Sequence, residues 1–261
     1  MEEAVDELIK ALILGIIQGI TEFLPISSTA HLVITPWIFG WTGPLNSLSF
    51  NIAVHVGTLL SLFYCFWRDW IDIFFKDRKM LGYLIIGTLP AAVAGLVFHD
   101  LIESSLRNPL IIVFTLVTVG VLMLIAEKVS KRQRDSITLS DAIIIGTAQA
   151  IALIPGVSRS GITITAGLFK GLKRDYAAKF SFLLSAPAIA GAATLDFYKS
   201  VKIGYSYDYS LFLVGLISAA ITGIIAIKFL LNFLKKYPLN LFIYYRWVLA
   251  GVIFLLYSFR S

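Results

Sequence analysis

Residues 18–31 read QGITEFLPISSTAH and residues 155–165 read PGVSRSGITIT, and each stretch interrupts a long apolar segment. The apolar segments cover roughly residues 8–34 and 143–168, and a proline lies inside each of them. Proline removes a backbone donor and clashes with the preceding turn, so both segments are predicted to be helix, break, helix. Non-helical backbone at membrane depth is tolerated only inside protein or beside a wet cavity, which makes both segments candidates for re-entrant hairpins.

The rest of the chain is too apolar for a water-soluble domain. Of its 261 residues 58% are hydrophobic and only 15% are charged, against roughly 25% charged residues in soluble domains. A spanning helix needs about 20 mostly apolar residues. Six unbroken stretches meet that requirement, at about residues 50–67, 81–98, 109–126, 180–197, 211–230 and 241–257.

The positive charges are arranged as in a multi-pass membrane protein. The net charge is +6, but Lys and Arg occur in short clusters between apolar runs, as expected of cytoplasmic loops and not of a nucleic-acid surface. Basic clusters at residues 128–134 and 170–179 flank the second broken segment on both sides. That segment is therefore predicted to enter and leave the membrane on the cytoplasmic side. Alternation of the remaining spans places both termini outside and the first broken segment at the external face.

Two short patterns repeat at a separation close to half the chain length. They are Gly15-x-x-Gln18 with Gly146-x-x-Gln149, and Leu24-Pro25-x-x-Ser28 with Ile154-Pro155-x-x-Ser158. The predicted fold is an all-α integral membrane protein, a single domain over residues 1–261, with six transmembrane helices and two re-entrant segments. Its halves, about 1–130 and 131–261, form an inverted-topology repeat, an architecture that places a site near the membrane midplane.

Few ionisable side chains lie in the apolar segments, and each costs at least about 2.5–3.5 kcal/mol at the membrane centre. Glu22 follows Gln18 by one helical turn, and His31 follows the first break. Arg159 lies in the second broken segment, where its neighbours are Ser158, Ser160 and, one turn later, Thr163.

This set of side chains suits phosphoryl chemistry. Arg159 offers a planar fork of donors to phosphate oxygens, and half-helix N-termini add backbone donors. Glu22 is a candidate ligand for a divalent cation, Mg²⁺ or Ca²⁺, with Gln18 as a neutral oxygen donor. A hydroxyl beside His31 is a candidate nucleophile, or the histidine activates water.

Structural interpretations stay open beside the functional ones. Glu22 and Arg159 can form a buried ion pair, and Gln18 can join two helices. The serines and threonines, Ser27 among them, can satisfy backbone carbonyls. His55, inside the span at 50–67, either packs or lines a pocket.

The stretches QGITEFLPISSTAHL and LIPGVSRSGITIT resemble the two signature motifs of the undecaprenyl-diphosphate phosphatases, the bacitracin-resistance proteins. FNIAVHVGTLL at 50–60 and SAPAIAGA at 185–192 add to a resemblance that covers essentially the whole chain. It implies hydrolysis of a C55 polyprenyl diphosphate to the monophosphate and inorganic phosphate, which recycles the lipid carrier for cell-envelope glycan synthesis. It also implies bacitracin resistance, a plasma-membrane location, a site that opens outward and a homodimer.

Carried over by motif position, the resemblance assigns roles to individual residues. The acidic pair falls on Gln18 and Glu22, the nucleophile on Ser28 and the histidine on His31. The phosphate-binding arginine falls on Arg159, with the substrate-binding hydroxyls on Ser27, Ser158, Ser160 and Thr163. Many members have Glu where this chain has Gln18, which lowers the negative charge available to a cation.

A transporter is the alternative function. Inverted repeats with broken helices are typical of carriers, and an arginine with half-helix termini would also recognise the anion of a polyprenyl phosphate. An anion carrier, however, does not require Glu22, Ser28 and His31 together.

Overall fold

The computed structural model describes residues 2–46, 48–98, 108–203 and 209–260, and these residues form α-helices without a strand. The helices are α1 Glu2–Phe23, α2 Ser28–Phe39, α3 Leu48–Cys65, α4 Trp67–Phe75, α5 Arg78–Val97, α6 Pro109–Val129, α7 Leu139–Ile151, α8 Arg159–Phe169, α9 Arg174–Ile203, α10 Tyr209–Leu234 and α11 Asn240–Arg260. A single 3₁₀ turn, Pro44–Asn46, is described between α2 and α3.

Five helices are long and apolar enough to cross a membrane, namely α5, α6, α9, α10 and α11. The pair α3 and α4 makes a sixth candidate, bent by 74° between the two helices. Helix α4 buries Trp70 and Ile73, whereas Phe74 and Phe75 are exposed. The chain is a multi-pass helical membrane protein, and the six apolar stretches fall on these helices.

Both predicted breaks are present. The first separates α1 from α2 and the second separates α7 from α8. The residues before α2 and α8 are Ser27 and Ser158, which share a left-handed backbone with φ of 75° and 71°. Each serine side chain accepts a hydrogen bond from a backbone N–H three residues later, as N-cap residues do.

These two serines share a backbone conformation, although the sequence pattern paired Ser158 with a different serine. The pattern Leu-Pro-x-x-Ser paired Ser28 with Ser158, but the backbone pairs Ser27 with Ser158. That pairing has the same sequence separation as Gly15 and Gly146. Ser28 and Arg159 therefore occupy equivalent positions, each the first residue of its helix.

Small residues let the broken segments approach the long helices closely. Helix α1 packs against α10, and α7 packs against α5. At the second contact, a Cβ on Gly146 would lie only 2.2 Å from the carbonyl oxygen of Gly87. Helix α10 also packs on α3, α9 on α5, and α11 on α6. The two short helical pairs are thus held within the bundle, with their breaks facing each other.

Ion pairs hold one end of this bundle together. Glu127, at the end of α6, binds Arg132 and Arg174 and accepts a hydrogen bond from the Leu239 backbone at the start of α11. Beside it, the backbone N–H of Lys173 donates to the Arg134 carbonyl. The chain entering α7 therefore lies directly beside the chain leaving α8.

Candidate active site

The two breaks meet through side chains from both halves. The Arg159 guanidinium, on the first residue of α8, lies 2.5 Å from Glu22 Oε1. Ser160 Oγ donates to the Leu24 carbonyl at 3.1 Å. Glu22 and Arg159 are both largely buried, with side-chain exposures of 8% and 13%. The two breaks therefore contact each other through an ion pair and a hydrogen bond.

Glu22 has a hydroxyl beside its second oxygen. Glu22 Oε2 accepts a hydrogen bond from Ser28 Oγ at 2.7 Å and another from Gln18 Nε2 at 3.1 Å. Ser28 is placed there by the sharp turn at Ser27, which begins α2 directly across from the end of α1. The carboxylate is in position to accept the Ser28 proton.

These groups line a cavity of about 170 Å³ between the two breaks. Its polar lining includes Glu22, Ser27, Ser28, Ser158 and Arg159. Five of the predicted site residues therefore share one cavity. An arginine, a carboxylate and a serine hydroxyl in one partly closed space form a site that can bind a phosphate and activate a nucleophile.

The other predicted residues support this cavity without lining it. Ser160 and Thr163 are fully buried. Thr163 Oγ1 donates to the Arg159 carbonyl at 2.7 Å and lies 2.6 Å from Ser181 Oγ, which fixes the first turn of α8 against α9. Gln18 is fully buried behind Glu22.

His31 has two hydrogen bonds, and neither is to Ser28. Its Nδ1 lies 2.7 Å from the Ser27 carbonyl, which can only accept, so Nδ1 carries the proton. Its Nε2 then accepts from the Tyr245 hydroxyl at 2.7 Å. The expected proton exchange between His31 and Ser28 has no hydrogen bond to carry it among the described residues, and Ser28 donates to Glu22 instead.

A second, larger cavity of about 640 Å³ adjoins the first and is mainly apolar. Both cavities are lined by Thr29, His55, Ile189 and Ala192. The larger one continues along α2 and α3, past Trp37 and Trp41. The polar cavity therefore opens into an apolar groove.

Arg246 is a component of the site that the sequence analysis passed over. It is fully buried in α11 and donates to the carbonyls of Pro25 and Gly156, one in each break, at 3.3 and 2.9 Å. It also donates to the carbonyls of Thr115 and Leu116. A signal was present, because Arg246 is a charged residue inside the predicted span at 241–257.

Two further residues line the cavities, although the sequence did not assign them to the site. His55, left undecided between packing and pocket lining, lines both cavities. Its Nδ1 lies 2.8 Å from the Asn51 carbonyl, so that nitrogen is the donor. Gln149 lines the polar cavity, and its only signal in the sequence was its match to Gln18 in the repeat.

Glu22 and Gln18 are the side chains at this site whose oxygens could hold a divalent cation. Gln18 Oε1 is buried and has no hydrogen-bond partner in the part of the chain that the structure describes. Turning that amide over would place its oxygen where Nε2 now lies, 3.1 Å from Glu22 Oε2. The described residues contain no cluster of three His, Cys, Asp or Glu side chains, so phosphate oxygens and water would complete the coordination, as is usual for Mg²⁺.

Comparison with known proteins agrees with this geometry. Residues 11–252 match the family model described as bacitracin resistance protein BacA. A relative from Thermodesulfovibrio yellowstonii named undecaprenyl-diphosphatase is 80% identical over 256 residues, covering 98% of this chain and 100% of that protein. Proteins of the same name from Moorella thermoacetica and Marinobacter nauticus are 43% and 44% identical, over 97% and 95% of this chain and 98% of each relative. The chain therefore belongs to the BacA family of bacitracin resistance proteins.

Proposed function

We propose that this protein hydrolyses undecaprenyl diphosphate to the monophosphate and inorganic phosphate, and so recycles the lipid carrier and confers bacitracin resistance. Family membership and the name of the 80% identical relative support this activity. The observation that carries it in the structure is the contact of Glu22 with both Ser28 and Arg159 at the mouth of an apolar groove.

In this proposal Ser28 Oγ attacks the distal phosphorus while Glu22 takes its proton. The phosphorus–oxygen bond to the proximal phosphate breaks, and the prenyl monophosphate departs and receives the proton from Glu22. Water then attacks the phosphoserine with Glu22 again as the base. The bond between Ser28 Oγ and phosphorus breaks, Ser28 Oγ receives the proton from Glu22, and inorganic phosphate leaves. Arg159 binds the phosphate oxygens throughout, where a fixed positive charge stabilises the developing negative charge.

The remaining predicted residues act by binding and positioning. Ser27 and Ser158 cap α2 and α8, and a helix N-terminus favours an anion. Ser160 and Thr163 hold the first turn of α8, so that Arg159 stays aimed at the substrate. His31 ties the first turn of α2 to Tyr245 on α11.

A divalent cation, Mg²⁺ or Ca²⁺, would be held by Glu22 and Gln18. When bound, such an ion neutralises phosphate charge. The prenyl tail would lie in the apolar groove and continue into the lipid, since that groove adjoins the polar cavity.

The membrane arrangement belongs to the same proposal. The α1–α2 and α7–α8 pairs are re-entrant, and the halves form an inverted repeat in the plasma membrane, with the site and both termini outside and a homodimer as the assembly. Two observations favour the repeat: α1 contacts α10 as α7 contacts α5, and the two N-cap serines share one backbone conformation.

Cysteine labelling tests this topology. With Cys65 changed to serine, single cysteines at Lys131 and Lys170, on either side of the α7–α8 pair, are expected to react only from the cytoplasmic face. Labelling of the two positions from opposite faces would show that the pair crosses the membrane.

The activity is tested with the purified protein in detergent, an undecaprenyl diphosphate substrate and Mg²⁺ or Ca²⁺. Phosphate release is expected, and Arg159→Ala should abolish it, whereas Arg68→Ala, at the exposed start of α4, should not. Bound lipid without phosphate release by the intact protein would reject the phosphatase and favour a polyprenyl-phosphate transporter. A phosphoserine trapped by acid quench would distinguish attack by Ser28 from direct attack by water.

A further inference from the structure

Gln149 has a buried side-chain amide without a protein partner. The residue is 3% exposed, and neither its Nε2 nor its Oε1 has a hydrogen-bond partner among the described residues. A buried donor or acceptor left unsatisfied is costly, so such an amide points to a ligand or water that completes it. Gln149 is also a lining residue of the polar cavity that holds Glu22, Ser28 and Arg159.

The position of Gln149 indicates how a substrate would be oriented in the polar cavity. Thr29 and His55 line both the polar cavity and the apolar groove, so they mark the junction where a prenyl tail would leave. Gln149, Ser28 and Arg159 line the polar cavity but not the groove. A lipid diphosphate with its tail in the groove would therefore place its proximal phosphate at the junction and its distal phosphate deeper in the cavity.

We propose that Gln149 binds the distal phosphate of the substrate, its Nε2 donating to a phosphate oxygen and its Oε1 accepting from a water beside that phosphate. The inference rests on the proposed function, because it uses the same cavity. It adds a fixed orientation: the distal phosphate lies against α7 and α8, and the proximal phosphate lies at the His55 end. This orientation presents the distal phosphorus to Ser28.

Product inhibition tests this orientation, because the two products occupy different ends of the site. Gln149→Met keeps the side-chain length and removes both polar atoms. It is expected to raise the inhibition constant of inorganic phosphate about tenfold, in line with a lost hydrogen bond to a charged group. The inhibition constant of undecaprenyl phosphate should stay within about twofold, since that product carries the proximal phosphate and the tail. Gln149→Glu should weaken the binding of inorganic phosphate further through charge repulsion.

Thr147→Val is the matched control. Thr147 lies on the same helix, donates to the Ile143 carbonyl of that helix and is exposed. It should leave both inhibition constants unchanged. Thermal unfolding in detergent checks that each variant is folded, and Gln149→Asn, which withdraws the amide by one methylene, replaces the methionine variant if that one does not fold.

If the inhibition constant of inorganic phosphate is unchanged in a folded Gln149 variant, the inference is overturned. An equal rise in the inhibition constants of both products would overturn it too. Failure of the proposed function looks different, because then the wild-type protein itself would show no turnover and no inhibition by either product.

Discussion

Glu22 illustrates how one buried carboxylate can serve several purposes. Arg159 neutralises its charge, Ser28 donates to it, and Gln18 fixes its orientation from the preceding turn. Removing a charge from water is expensive, and a buried pair is retained only where its geometry and additional hydrogen bonds compensate. The carboxylate is therefore held in one orientation by three partners.

Ser27 and Ser28 are adjacent but should behave differently. Ser28→Ala removes the hydroxyl beside Glu22, and we expect phosphate release to fall at least about a thousandfold, by loss of the nucleophile. Ser27→Ala removes a helix cap and should lower the free energy of unfolding by about 1 kcal/mol. Phosphate release and thermal unfolding measure the two effects. A Ser28→Ala protein with more than a tenth of wild-type turnover would exclude Ser28 as the nucleophile.

Tyr245 should position His31 without contacting the reacting atoms. Tyr245→Phe removes the hydroxyl that bonds His31 Nε2 and keeps the ring that stacks on the imidazole. We expect the free energy of unfolding to fall by about 1 kcal/mol, the usual value of one hydrogen bond. Tyr244→Phe, on the same helix, is the control. Equal effects of the two changes in thermal unfolding would argue against the His31 contact.

The helices are positioned chiefly by close backbone approach. Gly146 and Gly87 bring α7 and α5 together with no room for a side chain at Gly146. Packing between small residues is the usual means by which membrane helices associate, because lipid is as apolar as the side chains. The precision of the cavity thus depends on glycines that never touch it.

Gly146→Ala should consequently be destabilising. Its Cβ would lie 2.2 Å from the Gly87 carbonyl oxygen, so the backbones must separate, at a cost of about 2–3 kcal/mol. Gly82→Ala, on α5 in open space, should be neutral or stabilising because alanine favours the helix. Thermal unfolding compares them, and a neutral Gly146→Ala would mean that α7 and α5 are less tightly packed than the structure shows.

Arg246 connects α11 to both breaks of the chain. From α11 it donates to one carbonyl in each break, so a residue near the end of the chain joins the two halves of the site. The broken backbone leaves carbonyls that have no helical partner, and a fully buried guanidinium with five donors is able to satisfy several of them at once.

Replacing Arg246 should therefore affect both stability and activity. Arg246→Met fills part of the volume but leaves at least two buried carbonyls short of a donor, which should cost about 3 kcal/mol or more. Arg246→Lys retains the charge but not the fork, and should recover only part of this loss. Thermal unfolding and phosphate release of the same preparations are the measurements. Wild-type values for Arg246→Met would show that the breaks are held by other contacts.

Much of this architecture could be predicted from the chain alone. Apolar runs of about 20 residues predict helices in lipid, and Pro25 and Pro155 together with the polar residues beside them predict the two breaks. A proline alone is not sufficient, because Pro36, Pro90 and Pro187 lie inside α2, α5 and α9. The contact of Glu22 with Arg159 was open to prediction too, because few ionisable residues lie in the apolar segments and a buried ion pair of these two was one interpretation of the sequence.

Contacts between distant segments were harder to predict from the sequence. The sequence repeat aligned Ser28 with Ser158, whereas the backbone aligns Ser27, since letter patterns do not report φ angles. His31 was expected beside Ser28 but forms a hydrogen bond with Tyr245. The sequence gave little indication that Gln149 and Arg246 belong near the cavity. Composition and proline placement are local properties, and they determined the class of fold and the position of the breaks. Hydrogen-bond partners depend on which helices pack together, so only the folded chain decided which base faces Ser28 and which residues close the cavity.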